Sequence, residues 1–145
     1  MPNQDTNQLL AIAEHSFHIK SFDFAESVLH QILQIDPSHS KANELLAYIN
    51  EYKGNIELAY QFLIRACQSN TCSIEALYRL GASYLESARP DEALAYFTRV
   101  IELDSRHFEG LHDIGTALAQ LGRLDESLSF YQKAAVIRSD VPQLF

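Results

Sequence analysis

The chain has no tryptophan, one methionine and two cysteines, and only five glycines and four prolines among its 145 residues. Two thiols cannot build a disulfide framework, so Cys67 and Cys72 read as the reduced cysteines of an intracellular protein. So little glycine and proline disfavours an all-β design built on many tight turns. No apolar stretch approaches the roughly 20 residues a membrane helix needs. The N-terminal MPNQDTNQLLAIAEHSF also lacks the cationic and apolar stretches of a signal peptide. The protein therefore reads as soluble and cytoplasmic, without a membrane partner. Positive charge is scarce as well: 11 Lys and Arg face 19 Asp and Glu, a formal net charge of −8. Such a surface repels phosphate backbones, which argues against nucleic acid, and suits a basic partner.

The familiar chemical motifs are missing too. There is no glycine-rich phosphate loop, nucleophile elbow or Cys-x-x-Cys pair. His15 and His18 lie one helical turn apart beside Glu14, but two histidines do not close a zinc site, and no third ligand joins them in sequence. His107 and His112 read as polar surface. The carboxylates are scattered rather than gathered into a pocket suited to acid–base work. No cofactor, metal or catalytic residue is expected, and the chain does not read as an enzyme.

What the sequence does have is a period. Leu80-Gly81, Tyr84, Ala93 and Phe97 recur 34 residues on as Ile114-Gly115, Leu118, Ser127 and Tyr131. A step of 34 the other way gives Leu46-Ala47, Asn50, Ala59 and Leu63, and another gives Ile12-Ala13, Ser16, Ala25 and Leu29. The register runs without a gap through four units, 6–39, 40–73, 74–107 and 108–141. Within a unit the apolar spacing is helical: Leu77, Leu80, Gly81 and Tyr84 share one face, and Ala93, Leu94, Phe97, Val100 and Ile101 another. Breaks recur at Lys20-Ser21, Gly54-Asn55, Arg89-Pro90 and Gly122-Arg123, with an acidic residue soon after each, as at a helix N-terminus. Small residues at 13, 47, 81 and 115 let paired helices approach closely, while Leu29, Leu63, Phe97 and Tyr131 are placed to fill the seam between one pair and the next. One pair cannot bury its apolar face alone, so the pairs stack.

These residues resemble the tetratricopeptide repeat family. The third unit carries the resemblance best, as LYRLGASYLESARPDEALAYFTRVIELDS, and the fourth is close, as LHDIGTALAQLGRLDESLSFYQKAAVI. The opening aromatic site reads Leu9, Asn43, Leu77 and Leu111, and only Pro37 keeps the closing proline. Asn43 and Asn50 put polar groups at sites usually apolar, so looser packing is expected in the second unit. The resemblance implies an all-α fold, a right-handed superhelical stack of antiparallel helix pairs with about eight helices in a single domain. Pro142 and Phe145 fall where a fifth unit begins, so the chain reads as a fragment of a longer array, a short tail being the alternative.

The resemblance also implies a binding groove lined by the first helix of each pair. Its ligand-facing sites fall on Asn7, Leu10, Glu14, Phe17 and His18, then on Lys41, Glu44, Tyr48, Glu51 and Tyr52. In the later units they include Glu75, Tyr78, Glu109 and His112. Chaperone-binding members of the family grip a peptide carboxylate with Lys and Asn where this chain has Leu10 and Glu14, so that ligand class is not expected. The candidate groove residues are Glu14, Phe17, Glu44, Tyr48, Glu51, Tyr52, Tyr78 and His112, an aromatic and acidic set suited to a protein or peptide with basic and apolar residues. The aromatics could equally be packing residues. Three roles remain open: a free-standing interaction module, a substrate-recruiting array attached to an enzyme such as a glycosyltransferase, and self-association through the stack ends.

Overall fold

The computed structural model describes residues 2–139, with side chains from residue 5 onward. The positions at which a fifth unit was expected, 142–145, lie outside the described residues. Eight helices account for nearly all of the described chain, and no strand occurs among those residues. They are α1 (Pro2–His18), α2 (Phe22–Ile35), α3 (Ser40–Tyr52), α4 (Ile56–Cys67), α5 (Ile74–Glu86), α6 (Pro90–Leu103), α7 (Phe108–Gln120) and α8 (Leu124–Ser139). Among the described residues no helix is long and apolar enough to cross a membrane. Where the period reads as one domain, the chain divides into two compact units, Met1–Ala76 and Leu77–Phe145, with the division inside α5.

The turn inside each helix hairpin is the same device used four times. Lys20, Gly54, Ala88 and Gly122 take the left-handed conformation, with φ of 61°, 84°, 58° and 78°. In the second hairpin the Gly54 N–H donates to Glu51 O at 3.0 Å and the Asn55 N–H to Asn50 O at 2.8 Å. The same two bonds recur at 20–21, 88–89 and 122–123. This is the Schellman closure, which satisfies carbonyls left open at a helix C-terminus. It also turns the chain back sharply, so the following helix packs on the one just ended.

The first helices of the later pairs start on equivalent caps. His39 Nδ1 accepts from the Ala42 N–H at 3.1 Å, Ser73 Oγ from the Ala76 N–H at 3.1 Å, and His107 Nδ1 from the Gly110 N–H at 2.9 Å. A side-chain acceptor here fills one of the four donors a helix start leaves open. His107, which reads as surface in the sequence, is thus a structural cap.

In the first unit Ala25, Leu29, Ile32, Ala42, Leu46, Ile49 and Ala66 are fully buried. Burial of each larger side chain contributes about 1.5–3 kcal/mol. At the two polar sites where looser packing was expected, Asn43 and Asn50 are both buried and donate along the helix, while Asn43 Oδ1 is buried without a hydrogen-bond partner. Asn50 Nδ2 donates to Leu46 O at 2.8 Å, and Asn43 Nδ2 to His39 O at 2.9 Å. In the second unit Ala93, Phe97, Ile114 and Leu118 form the core, flanked by Tyr78, Leu94 and Phe130. Phe97 therefore fills the seam between α6 and α7, as expected. It also lies on Gly81 of its own hairpin.

Candidate functional site

In the first unit α1 and α3 bring three of the predicted groove residues together. Glu14, Phe17 and Tyr48 line one open cavity of about 370 Å³ with His18, Lys41 and Leu45. On α3, Lys41, Leu45 and Tyr48 fall at i, i+4 and i+7, one face of a helix. Phe17 and Tyr48 face each other with ring centroids 6.4 Å apart, within the range of a favourable aromatic pair. Phe22, at the start of α2, extends the aromatic wall: it lies 5.5 Å from Phe17 and 4.7 Å from Tyr52. Tyr52 is 71% exposed, so one face of its ring is held and the other is open to solvent. Glu51 lies on the exposed surface of the same helix end.

The charge on this wall is mixed rather than acidic. Glu14 and Lys41 line the same cavity, yet neither forms an ion pair among the described residues. Both stand free to meet a ligand's charge. Phe22 and Leu45 are the contributors that the groove positions do not predict. Their signal was present in the sequence only as an aromatic directly after a hairpin turn and an apolar residue one turn from Lys41.

Glu44 corrects the expected set. Its side chain is only 3% exposed, and its carboxylate accepts from the Ser73 N–H at 2.7 Å and the Ser73 hydroxyl at 3.1 Å. It therefore braces the residue that caps α5 and is closed to a ligand. The physical reason is a contact 29 residues along the chain: the Ser73 amide and hydroxyl need an acceptor, and the carboxylate that meets them is drawn into the interior.

In the second unit the predicted Tyr78 and His112 meet through a residue the sequence reading did not single out. The Tyr78 hydroxyl donates to Asp113 Oδ2 at 2.7 Å, and His112 Nδ1 lies 3.2 Å from Asp113 Oδ1. The His112 ring packs 5.2 Å from Tyr131, whose hydroxyl is 2.9 Å from Thr116 Oγ1. Tyr78 also packs 5.3 Å from the His107 cap, in the register by which Glu44 meets Ser73 one repeat earlier. The two inner faces are thus an apolar cavity with unpaired charges of both signs in one unit, and an aromatic and imidazole cluster tied to a carboxylate in the other. Neither gathers three metal-ligating side chains among the described residues.

Residues 78–142 match the family model described as tetratricopeptide repeat. Among solved structures the chain is similar to MamA, at 21% identity and a TM-score of 0.72, covering 97% of this chain and 79% of that one. It is similar to YrrB, a TPR protein with an unusual peptide-binding site, at 22% identity and a TM-score of 0.76, covering 89% of this chain and 66% of that one. PilF of Pseudomonas aeruginosa aligns at 17% identity with a TM-score of 0.67, covering 97% and 64%. At these identities the likeness is one of fold. No curated protein matches the sequence.

Proposed function

We propose that this chain, whose residues 78–142 match the tetratricopeptide repeat model, is an interaction module that holds a segment of another protein or a peptide against the inner faces of its first helices, and does no chemistry of its own. The observation that carries this reading is the cavity between α1 and α3. Phe17, Leu45 and Tyr48 offer apolar area to one inserted side chain, and Glu14 stands at the same opening without a partner. Aromatic walls bury large area at low entropic cost, which makes them good anchors. Glu14 selects a neighbouring Lys or Arg, and Lys41 adds a contact for a carboxylate or a backbone carbonyl. The likeness to a peptide-binding TPR protein supports the same use. Glu51, Tyr52, Tyr78 and His112 remain proposed contacts, whereas Glu44 does not. The setting proposed is the cytoplasm, where Cys67 and Cys72, buried and not joined in a disulfide, stay reduced.

A random peptide library displayed on phage and selected on the full chain tests the proposal. Selected sequences should share an apolar or aromatic residue flanked by Lys or Arg. The variant carrying Phe17→Ala and Tyr48→Ala should lose them while keeping its helical circular dichroism. Peptides that bind the double variant as well as the wild type would overturn the assignment of this cavity.

A further inference from the structure

We infer that the chain assembles head to tail with copies of itself, the open face of α8 in one copy seating the open face of α1 in the next. This goes beyond the peptide-binding reading and does not rest on it. The repeat register carries it. Ile12, Leu46, Leu80 and Ile114 hold one position of the period, and the last three are at most 1% exposed. Ile12 is 46% exposed. Gln8, His15 and Ile19 share its face of α1, at i−4, i+3 and i+7, and are exposed too. Their counterparts on α7 are Gly110, Ala117 and Leu121, which are buried or half-buried. A methyl group on Gly110 would stand 3.2 Å from Val100 Cγ1, so this face of α7 lies against α6. The face that α7 turns to the helix before it is thus open on α1.

The matching half is open on α8. Leu94, Phe97 and Ile101 of α6 are buried or half-buried in the core shared with α7. One repeat on, the same positions are Leu128, Tyr131 and Ala135, an apolar stripe at i, i+3 and i+7. Leu128 is 57% exposed, Ala135 is exposed and Tyr131 is half-buried. Four residues join α6 to α7 and the two helices pack on each other, so they run antiparallel. A copy docked in that register sets the end of α1 beside the start of α8. The last turn of α1 carries His15 and His18, and the first turn of α8 carries Asp125. At the other end Asp5 of α1 comes beside the last turn of α8, which carries Arg138. The charges therefore match in the direction that the register requires. Such a contact is heterologous: every docked copy offers a fresh open face, so growth does not stop at two.

Sedimentation equilibrium of the full chain from about 1 μM to about 1 mM covers the range of so small a seam. The average mass should climb with concentration and pass that of two chains. Ile12→Asp, Ile19→Asp and Leu128→Asp all change exposed positions. Each should keep the wild-type circular dichroism and stay at the mass of one chain. An equimolar mixture of Ile12→Asp and Leu128→Asp should rise to two chains and stop, since it retains one whole α8 face and one whole α1 face. A wild-type mass of one chain throughout overturns the inference. A wild-type mass that levels at two chains, with Ile12→Asp still pairing, overturns it in favour of α8 meeting α8. A mixture that stays at one chain overturns it as well.

Discussion

The Phe97 ring lies so close over the Gly81 backbone that a methyl group there would stand 2.7 Å from Phe97 Cε1. One repeat on, Gly115 meets Tyr131 in the same way, at 2.8 Å. One repeat and two repeats back, alanines 47 and 13 share the register with leucines 63 and 29, all four of them buried. The glycine goes with the flat aromatic and the alanine with the smaller aliphatic.

Gly81→Ala should therefore destabilise the protein even though alanine is the better helix former. The propensity gain is about 1 kcal/mol, and overpacking against a buried ring costs about 1–3 kcal/mol. Phe97→Leu creates space and is costly alone. In the Gly81→Ala background it should cost much less, because the pair then matches the first two repeats. Urea unfolding of the four proteins in a double-mutant cycle measures that coupling, and additive effects would contradict the small-against-large account.

Ala88 and Lys20 hold left-handed φ values of 58° and 61° where the sister turns have glycine. Such a conformation costs a non-glycine residue roughly 1–2 kcal/mol. Ala88→Gly should raise stability by up to about 1 kcal/mol once the extra freedom of glycine in the unfolded chain is offset. Gly54→Ala, where no neighbour lies within 4 Å, should lower it by strain alone. Thermal melting points of both variants should move in opposite directions.

Glu44→Ala should cost about 1–3 kcal/mol, the penalty for leaving buried donors without an acceptor. Its effect on peptide affinity should be nil at temperatures where the variant is folded, in contrast to Tyr48→Ala. A Glu44→Ala variant of wild-type stability and weakened binding would restore that carboxylate to the groove.

Lys53 Nζ donates to Asp23 Oδ1 and to Glu26 Oε2, both at 2.7 Å, and so ties α2 to the end of α3. The hydrogen bond from Lys53, helped by its charge, holds the Asp23 carboxyl below the usual carboxylate range. The lysine is raised in turn, first by the hydrogen bond to Asp23 and then by that to Glu26. A lowered carboxylate adds stability that is complete above its unfolded pKa and is lost as pH falls through the folded one. The raised lysine adds stability that is complete below its unfolded pKa and is lost as pH rises through the folded one. A carbon-detected titration should find Asp23 ionising below its usual range and returning to it in Lys53→Met. The stability gap between the two proteins should close in acid and shrink with added salt, because the pair is exposed.

The helices were legible in the sequence because the period and the breaks depend on residues close together in the chain. Gly54 and Gly122 announced their turns, and small residues at 13, 47, 81 and 115 announced close approach. The groove was legible only as a set of positions. Leu10, Glu44, Tyr78 and His112 share one register. Glu44 is drawn inward by Ser73, while Tyr78 and His112 are tied to Asp113. Those outcomes depend on partners about 30 residues away in the chain, or on the adjacent residue, and no helical pattern encodes them. His107 was misread for a similar reason, since its role rests on an acceptor atom aimed at the Gly110 amide.

The bond from Glu44 to Ser73 and the packing of Tyr78 on His107 make the starts of α5 and α7 depend on a residue in the repeat before each. The Ser73 cap goes with a carboxylate and the His107 cap with an aromatic ring, while Leu10 holds the same register before the His39 cap. Anyone shuffling these repeats, or grafting one into a designed array, should therefore cut just after the cap rather than just before it. The boundaries of the period, 73/74 and 107/108, meet that condition, whereas a cut one residue earlier would pair serine with tyrosine, or histidine with glutamate, and leave each new junction frayed at its first turn.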